Sequence, residues 1–196
     1  MLFEKSENKT LKNIREWIGK NFSRFNISPN IWTIASLAVA IAAFLSIINR
    51  YFLFGAILII ISGLIDLIDG AVARKTKKVT KFGAFLDTVI DRYNEFLFIF
   101  PLVFIQWQPI VFDFQVWVFL FLFGSMITTY VKSAAAEKKL KKELRGGILE
   151  RAERVGLYTV SLIIAEFNVT IFQYLIIILA ILSNISAIQR IVKAIR

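Results

Sequence analysis

Six long apolar runs dominate the chain, at about Asn30–Ile48, Tyr51–Ala73, Phe82–Ile105, Phe114–Ala136, Val155–Glu166 extended by its flanks, and Thr170–Gln189. A helix needs about 20 residues to cross a hydrocarbon core of about 30 Å, so these runs predict six transmembrane helices, the fifth being the shortest. Ahead of them Leu11, Ile14, Trp17, Ile18, Phe22 and Phe25 recur every three or four residues. Lys9, Lys12, Arg15, Glu16, Lys20 and Arg24 fill the opposite face. This periodicity predicts an amphipathic helix lying in the membrane interface, or packed on other protein. In Ile27-Ser28-Pro29-Asn30, Ser28 can cap a helix and Pro29 can occupy its first turn. The fold expected is therefore an all-α integral membrane protein. Residues 1–29 form a cytoplasmic juxtamembrane helix, and residues 30–196 form one six-helix membrane domain.

Composition agrees: 57% of the 196 residues are hydrophobic, with 19 Phe and only 3 Pro, and the mean hydropathy is +0.66, well above soluble domains. No run resembles a cleavable signal sequence. Cys and His are both absent, which excludes thiol nucleophiles, disulfides, imidazole bases and Cys/His zinc sites. A metal here would be hard, and a proton acceptor would be Asp or Glu.

Charge supplies the orientation. Lys5, Lys9, Lys12, Arg15, Lys20 and Arg24 precede the first run, and Arg74, Lys75, Lys77, Lys78 and Lys81 lie between the second and third. Lys132, Lys138, Lys139, Lys141, Lys142, Arg145, Arg151 and Arg154 lie around the fourth-to-fifth segment, and Arg190, Lys193 and Arg196 lie at the C-terminal end. Only Arg50 falls on the other side, with Arg92 inside a run. The positive-inside rule then puts both termini and both basic loops in the cytoplasm, in a multi-pass inner membrane protein. The net charge of +10 reads as a lipid-facing cytoplasmic surface rather than a nucleic-acid site.

Acids inside apolar runs are costly and need compensation. The second run ends Asp66-Leu-Ile-Asp69-Gly70-Ala-Val-Ala73-Arg74, and the third begins Gly83-Ala-Phe-Leu-Asp87-Thr-Val-Ile-Asp91. Asp66 and Asp69 share one helix face, and Gly83, Asp87 and Asp91 share another. A connection of about eight residues makes the two helices antiparallel neighbours and brings the four carboxylates together near the cytoplasmic face. Bound cations would relieve their repulsion. Gly70, Ala73 and Gly83 remove bulk beside the acids, for helix packing or for a flat ligand. Arg74 can pair with an acid or a phosphate.

These residues resemble the signature of the CDP-alcohol phosphotransferase family, Asp-x2-Asp-Gly-x2-Ala-Arg-x8-Gly-x3-Asp-x3-Asp, met without substitution by Asp66, Asp69, Gly70, Ala73, Arg74, Gly83, Asp87 and Asp91. The resemblance implies six membrane helices paired as a homodimer, and a CDP-linked membrane lipid as donor. It implies two Mg²⁺ or Mn²⁺ ions on Asp66, Asp69, Asp87 and Asp91, with Asp91 as the base toward an acceptor hydroxyl. Asp66, Asp69, Gly70, Ala73, Arg74, Gly83 and Asp87 would contact the CDP-lipid, and CMP would be released in phospholipid biosynthesis.

A second basic set comprises Lys132 after Tyr130-Val, Arg151 and Arg154 in Glu150-Arg151-Ala-Glu153-Arg154, and Arg190 after Gln189. Four cations at one depth suit a phosphate dianion, although each is also an ordinary positive-inside anchor. The set resembles the phosphatidylinositol-phosphate and archaetidylinositol-phosphate synthase branch. That branch implies a phosphorylated polyol acceptor, inositol 1-phosphate, held by Lys132, Arg151, Arg154 and Arg190. The neighbouring expectation is glycerol 3-phosphate as acceptor, giving phosphatidylglycerophosphate. An intramembrane prenyltransferase would carry two separated Asp-rich motifs. A cation transporter would spread its acids through the bilayer depth, whereas these four fall near one face.

Overall fold

The computed structural model describes residues 9–140 and 146–195, with side chains from residue 13 onward. Lys5, Lys141, Lys142, Arg145 and Arg196, and the side chains of Lys9, Leu11 and Lys12, lie outside the described residues. The described residues form an all-helical fold, without a strand. In order they are α1 (Lys9–Phe22), α2 (Pro29–Ile48), α3 (Phe52–Lys75), α4 (Lys81–Ile99), α5 (Phe114–Glu137), α6 (Arg151–Ala165) and α7 (Val169–Ile195). Short 3₁₀ turns cover Ser23–Phe25 and Phe100–Phe104.

Among the described residues, four helices are long and apolar enough to cross a membrane: α2 with 20 residues, α3 and α5 with 24 each, and α7 with 27. At 1.5 Å per residue these span about 30 to 40 Å, and the protein is a multi-pass membrane protein. Two of the six expected spans do not meet that description. Helix α4 carries Asp87, Asp91, Arg92 and Glu95 in 19 residues, and α6 has only 15 residues, about 22 Å.

The third apolar run also ends earlier than its hydropathy predicts. Helix α4 stops at Ile99 rather than Ile105 because Pro101 disfavours α-geometry in the preceding residue and removes a donor, so the chain tightens into the 3₁₀ turn Phe100–Phe104. Three helix ends share another device. Arg50, Lys77 and Lys139 adopt the left-handed conformation (φ 65°, 58° and 58°), and the following amide reaches back five residues: Tyr51 to Ser46, Lys78 to Ala73 and Leu140 to Ala135. These are Schellman closures made without glycine.

The described residues form two compact units. One contains the chain up to Ala42 together with Leu58–Asn94, and the other contains Ala43–Ile57 together with the chain from Glu95.

In the first unit α2, α3 and α4 are joined by a polar chain. The Ser36 hydroxyl donates to the Thr33 carbonyl (2.7 Å), that of Ser62 donates to the Ser36 carbonyl (3.0 Å), and the Asn94 amide donates to Ser36 Oγ (3.1 Å). Helix α1 sits against α3 at Gly19, where a Cβ would lie 2.9 Å from the Ala71 carbonyl oxygen. In the second unit, Phe52, Trp107, Phe114 and Phe172 stack with ring centroids 5.0 to 6.2 Å apart. Helices α5 and α7 approach at Gly124, where a Cβ would meet the Asn184 backbone nitrogen at 2.8 Å, as small residues allow between membrane helices.

Candidate metal and donor cleft, and a cation cluster

Helix α3 presents Asp66 and Asp69 on one face, three residues apart, and α4 presents Asp87. One carboxylate oxygen from each lies within 4.8 Å of the others. Asp91, one turn further along α4, is not in this trio. Its Oδ2 stands 3.9 Å from the Arg92 guanidinium, and its charge, like that of Asp87, still acts on Asp69. Asp69 is buried, and its Oδ2 accepts a 2.6 Å hydrogen bond from Thr33 of α2, a hydroxyl that also contacts the Pro29 carbonyl at 3.3 Å.

The donors are all carboxylate oxygens on adjacent helices, one of them oriented by a partner outside the trio. Such a set fits a hard divalent ion, Mg²⁺ or Mn²⁺, and lacks the nitrogen or sulfur that zinc prefers.

The trio lines a cleft of about 470 Å³ together with Gly70, Ala73, Arg74 and Gly83. Gly70 faces the Arg74 side chain, whose Nη1 would lie 3.3 Å from an added Cβ. Gly83 lies between Thr80 and Asn30, where a Cβ would stand 3.1 Å from the Thr80 hydroxyl and 3.3 Å from Asn30 Oδ1. The Thr80 hydroxyl accepts the Gly83 amide at 2.9 Å, capping the helix that carries Asp87. Sequence reasoning passed over Thr33, Thr80 and Lys78, all of which line the cleft. A Thr immediately before the apolar run of α4 was a readable cap signal for Thr80; nothing local marks Thr33. A larger cavity among the described residues, about 1010 Å³, belongs to the second unit and includes Arg50, Trp107 and Asp113. Its lining offers one carboxylate, Asp113, against the three of the cleft, so size does not select the site.

In the second unit the four expected cations are placed unequally. Arg154 is 1% exposed. Its Nε and Nη2 contact Glu95 Oε1 at 2.7 and 2.6 Å, and its Nη1 donates to the Thr128 hydroxyl at 3.3 Å. The Ser125 hydroxyl donates to the same Glu95 oxygen. Arg190 is buried as well, donating from Nε to the Gly146 carbonyl (3.1 Å) and from Nη1 to the Thr128 carbonyl (2.8 Å). Arg154 and Arg190 thus meet at Thr128. Lys132, exposed, follows Thr128 by four residues on α5, and Arg151, half-buried, precedes Arg154 by three on α6, so each lies one turn from that meeting point.

The glutamates of the Glu150-Arg151-Ala-Glu153-Arg154 run have a local task. They form the capping box of α6, with the Glu150 amide donating to Glu153 Oε2 at 2.9 Å. The approach to α6 is pinned on α7 by the Ile148 amide on Gln189 Oε1 (3.0 Å) and the Leu149 amide on Ser186 Oγ (2.9 Å). Neither Glu95 nor Thr128 was singled out from sequence, although a Glu within an apolar run calls for a buried partner.

The profile of the CDP-alcohol phosphatidyltransferase family matches residues 26–194. The chain belongs to this family. Among its relatives are two archaetidylinositol phosphate synthases. That of Pyrococcus horikoshii is 34% identical over 183 residues, covering 91% of this chain and 89% of the relative. That of Aeropyrum pernix is 34% identical over 171 residues, covering 87% and 84%. Among solved structures, the chain is similar to Mycobacterium tuberculosis phosphatidylinositol phosphate synthase with CDP-DAG bound, at a TM-score of 0.80 and 25% identity over 93% of this chain and 94% of that one. As a CDP-alcohol phosphatidyltransferase the protein is a transferase of phospholipid biosynthesis.

Proposed function

We propose that the enzyme transfers the phosphatidyl-type group of a CDP-linked lipid to a hydroxyl of inositol 1-phosphate and releases CMP. The observation that carries the donor half is the convergence of Asp66, Asp69 and Asp87 within 4.8 Å, in a cleft that also contains Gly70, Ala73, Arg74 and Gly83. The acceptor half is supported by relatives named as archaetidylinositol phosphate synthases that match along nearly their whole length.

In this reading the three clustered carboxylates hold divalent metal, two ions with Asp91 included. Such metal would neutralise the diphosphate and the departing CMP. Gly70, Ala73 and Gly83 give the nucleotide a flat surface, and Arg74 contacts phosphate. The acceptor hydroxyl oxygen bonds to the lipid-side phosphorus, the phosphorus–oxygen bond to CMP breaks with its electron pair leaving on CMP, and the hydroxyl proton passes to the Asp91 carboxylate. Lys132, Arg151 and Arg190 hold the acceptor phosphate. Arg154, whose donors contact Glu95 and Thr128, contributes by positioning rather than contact.

The topology proposed with it has six spans. The buried pairing of Glu95 with Arg154 supports counting α4 and α6 among them, because each charge gives the other a partner inside the membrane. Helix α1 and the 3₁₀ turn after it, with Ile14, Trp17 and Phe25 exposed beside Arg15, Lys20 and Arg24, lie in the cytoplasmic interface. Both termini are cytoplasmic by the distribution of Lys and Arg, and family resemblance supports a homodimer.

The purified protein should release CMP from CDP-lipid with inositol 1-phosphate and Mg²⁺ or Mn²⁺, lose this activity to a chelator, and lose it in Asp91→Asn. Turnover with glycerol 3-phosphate alone would overturn the acceptor, and full activity in Asp91→Asn would remove that residue from the base role.

A further inference from the structure

We propose that α1 is a wall of the donor cleft and that Arg15 on it binds the diphosphate of the CDP-linked lipid. The inference rests on the donor reading above and adds to it an element outside the part of the chain that the family profile covers, which begins at residue 26.

Helix α1 is seated rather than loosely laid on its neighbour. Gly19 is buried while Arg15, Trp17 and Lys20 around it are exposed. A Cβ on Gly19 would stand 2.9 Å from the Ala71 carbonyl oxygen and 3.2 Å from Lys75 Cβ. The first of these is backbone that cannot swing aside, so only glycine permits this approach. One turn further on, Phe22 packs edge-to-face on Trp32 of α2 with ring centroids 5.7 Å apart. Two contacts three residues apart fix both the position and the rotation of the helix.

That rotation decides which cation faces the acids. Arg15 precedes Gly19 by four residues and shares its face. The seat at Ala71 directly follows Gly70 in sequence, and Arg15 accordingly lines the same cleft as Asp66, Asp69, Gly70 and Arg74. Arg24, on the same segment, is exposed and does not line this cleft. The cleft therefore has carboxylates on α3 and α4 and cations from three places: Arg15 of α1, Arg74 of α3 and Lys78 beyond it. Such a division of charge suits a diphosphate, which carries negative charge on both phosphates and accepts charge-assisted hydrogen bonds from guanidinium groups.

The test compares Arg15→Ala, Arg15→Lys, Gly19→Leu and Arg24→Ala with the natural chain. Two readouts are used: the KM for CDP-lipid in CMP release, and the equilibrium Kd for CDP with Mg²⁺ in detergent. Arg15→Ala should raise both about tenfold, the loss of one charge-assisted contact, with the acceptor KM unchanged. Arg15→Lys should fall between. Gly19→Leu should match Arg15→Ala because α1 is lifted from its seat, and Arg24→Ala should leave both values unchanged. An unchanged CDP Kd in Arg15→Ala overturns the proposal. An equal rise in Arg24→Ala also overturns it, by assigning the effect to general surface charge. A natural chain that neither binds CDP nor releases CMP from any CDP-lipid would overturn the donor reading itself and this proposal with it.

Discussion

Removing Glu95 should unsettle the second unit more than removing any exposed charge, because it strands a buried cation. Glu95 and Arg154 are each 1% exposed, and two guanidinium nitrogens approach Glu95 Oε1 at 2.7 and 2.6 Å. In Glu95→Ala the buried guanidinium loses the carboxylate that its Nε and Nη2 contact. Breaking one side of a buried pair costs about 3–5 kcal/mol. For a chain of this length each kcal/mol lowers Tm by about 2–4 °C, so the apparent Tm should fall by about 6–20 °C. Replacing both partners, Glu95→Leu with Arg154→Met, removes both charges at similar volume and should recover most of the loss.

The assay is thermal unfolding in detergent at one fixed scan rate, because unfolding of such a protein is kinetically controlled, with acceptor and donor KM measured on each variant. If Arg154 positions rather than contacts, the double variant should keep the acceptor KM within about threefold of the natural value, while Arg151→Ala raises it about tenfold or more. A Glu95→Ala variant within about 2 °C of the natural Tm would refute the energetic reasoning. A double variant with restored Tm and an acceptor KM raised as far as in Arg151→Ala would return Arg154 to the phosphate ligands.

Three further outcomes follow from the geometry. Thr33→Val removes the 2.6 Å hydrogen bond to Asp69 and should weaken Mn²⁺ binding about 10- to 100-fold, measured by titration with paramagnetic Mn²⁺; unchanged affinity would show that Thr33 does not orient the carboxylate. Lys77→Gly relieves a left-handed residue at the end of α3 and should stabilise the protein by about 1 kcal/mol in thermal unfolding, without changing either KM. Gly124→Val places a Cβ 2.8 Å from the Asn184 backbone nitrogen and should cost about 1–3 kcal/mol by forcing α5 and α7 apart; an unaltered Tm would mean that the helices separate without penalty.

Much of the site could be read because its residues repeat at helical spacing. Asp66 and Asp69 at three residues, and Gly83, Asp87 and Asp91 at fours, are helix-face statements before any coordinates exist. What the spacing could not supply was distance across helices. Arg151 and Arg154 stand three apart and look equivalent in the sequence, and their ranking depends on Glu95, which lies 59 residues from Arg154. The helix ends at Arg50, Lys77 and Lys139 were hidden for a different reason. A Schellman closure is usually advertised by glycine, and here long cations take the left-handed position. The end of α4 was legible, since Pro101 stood in the open within the third run, but hydropathy alone carried the run past it to Ile105. Helix α4 is less apolar than α2, α3, α5 and α7 for the reason that makes it interesting: of the acids that lower its apolar character, Asp87 lines the cleft and Glu95 meets the buried Arg154.

Four carboxylates on two neighbouring helices ought to drive those helices apart, and the packing of the first unit explains how their spacing can persist. Thr33 holds Asp69 from α2, Ser36 of α2 receives the Asn94 amide from α4, and Ser62 of α3 donates to the Ser36 carbonyl. Two of these links join α2 to α3 and one joins α2 to α4, and Thr33, Ser36, Ser62 and Asn94 are all buried. In a low-dielectric interior such bonds are costly to leave unmade, so separation of α3 and α4 would expose several unsatisfied polar groups at once. The small residues act in the same direction: Gly19 admits α1 against α3 at Ala71, and Gly83 leaves room between Thr80 and Asn30. The repulsion among the acids is thus opposed by buried hydrogen bonds, one of which Asp69 itself accepts. Held in this way, one carboxylate oxygen from each of Asp66, Asp69 and Asp87 lies within 4.8 Å of the others, the kind of cluster that metal-dependent phosphoryl transfer uses.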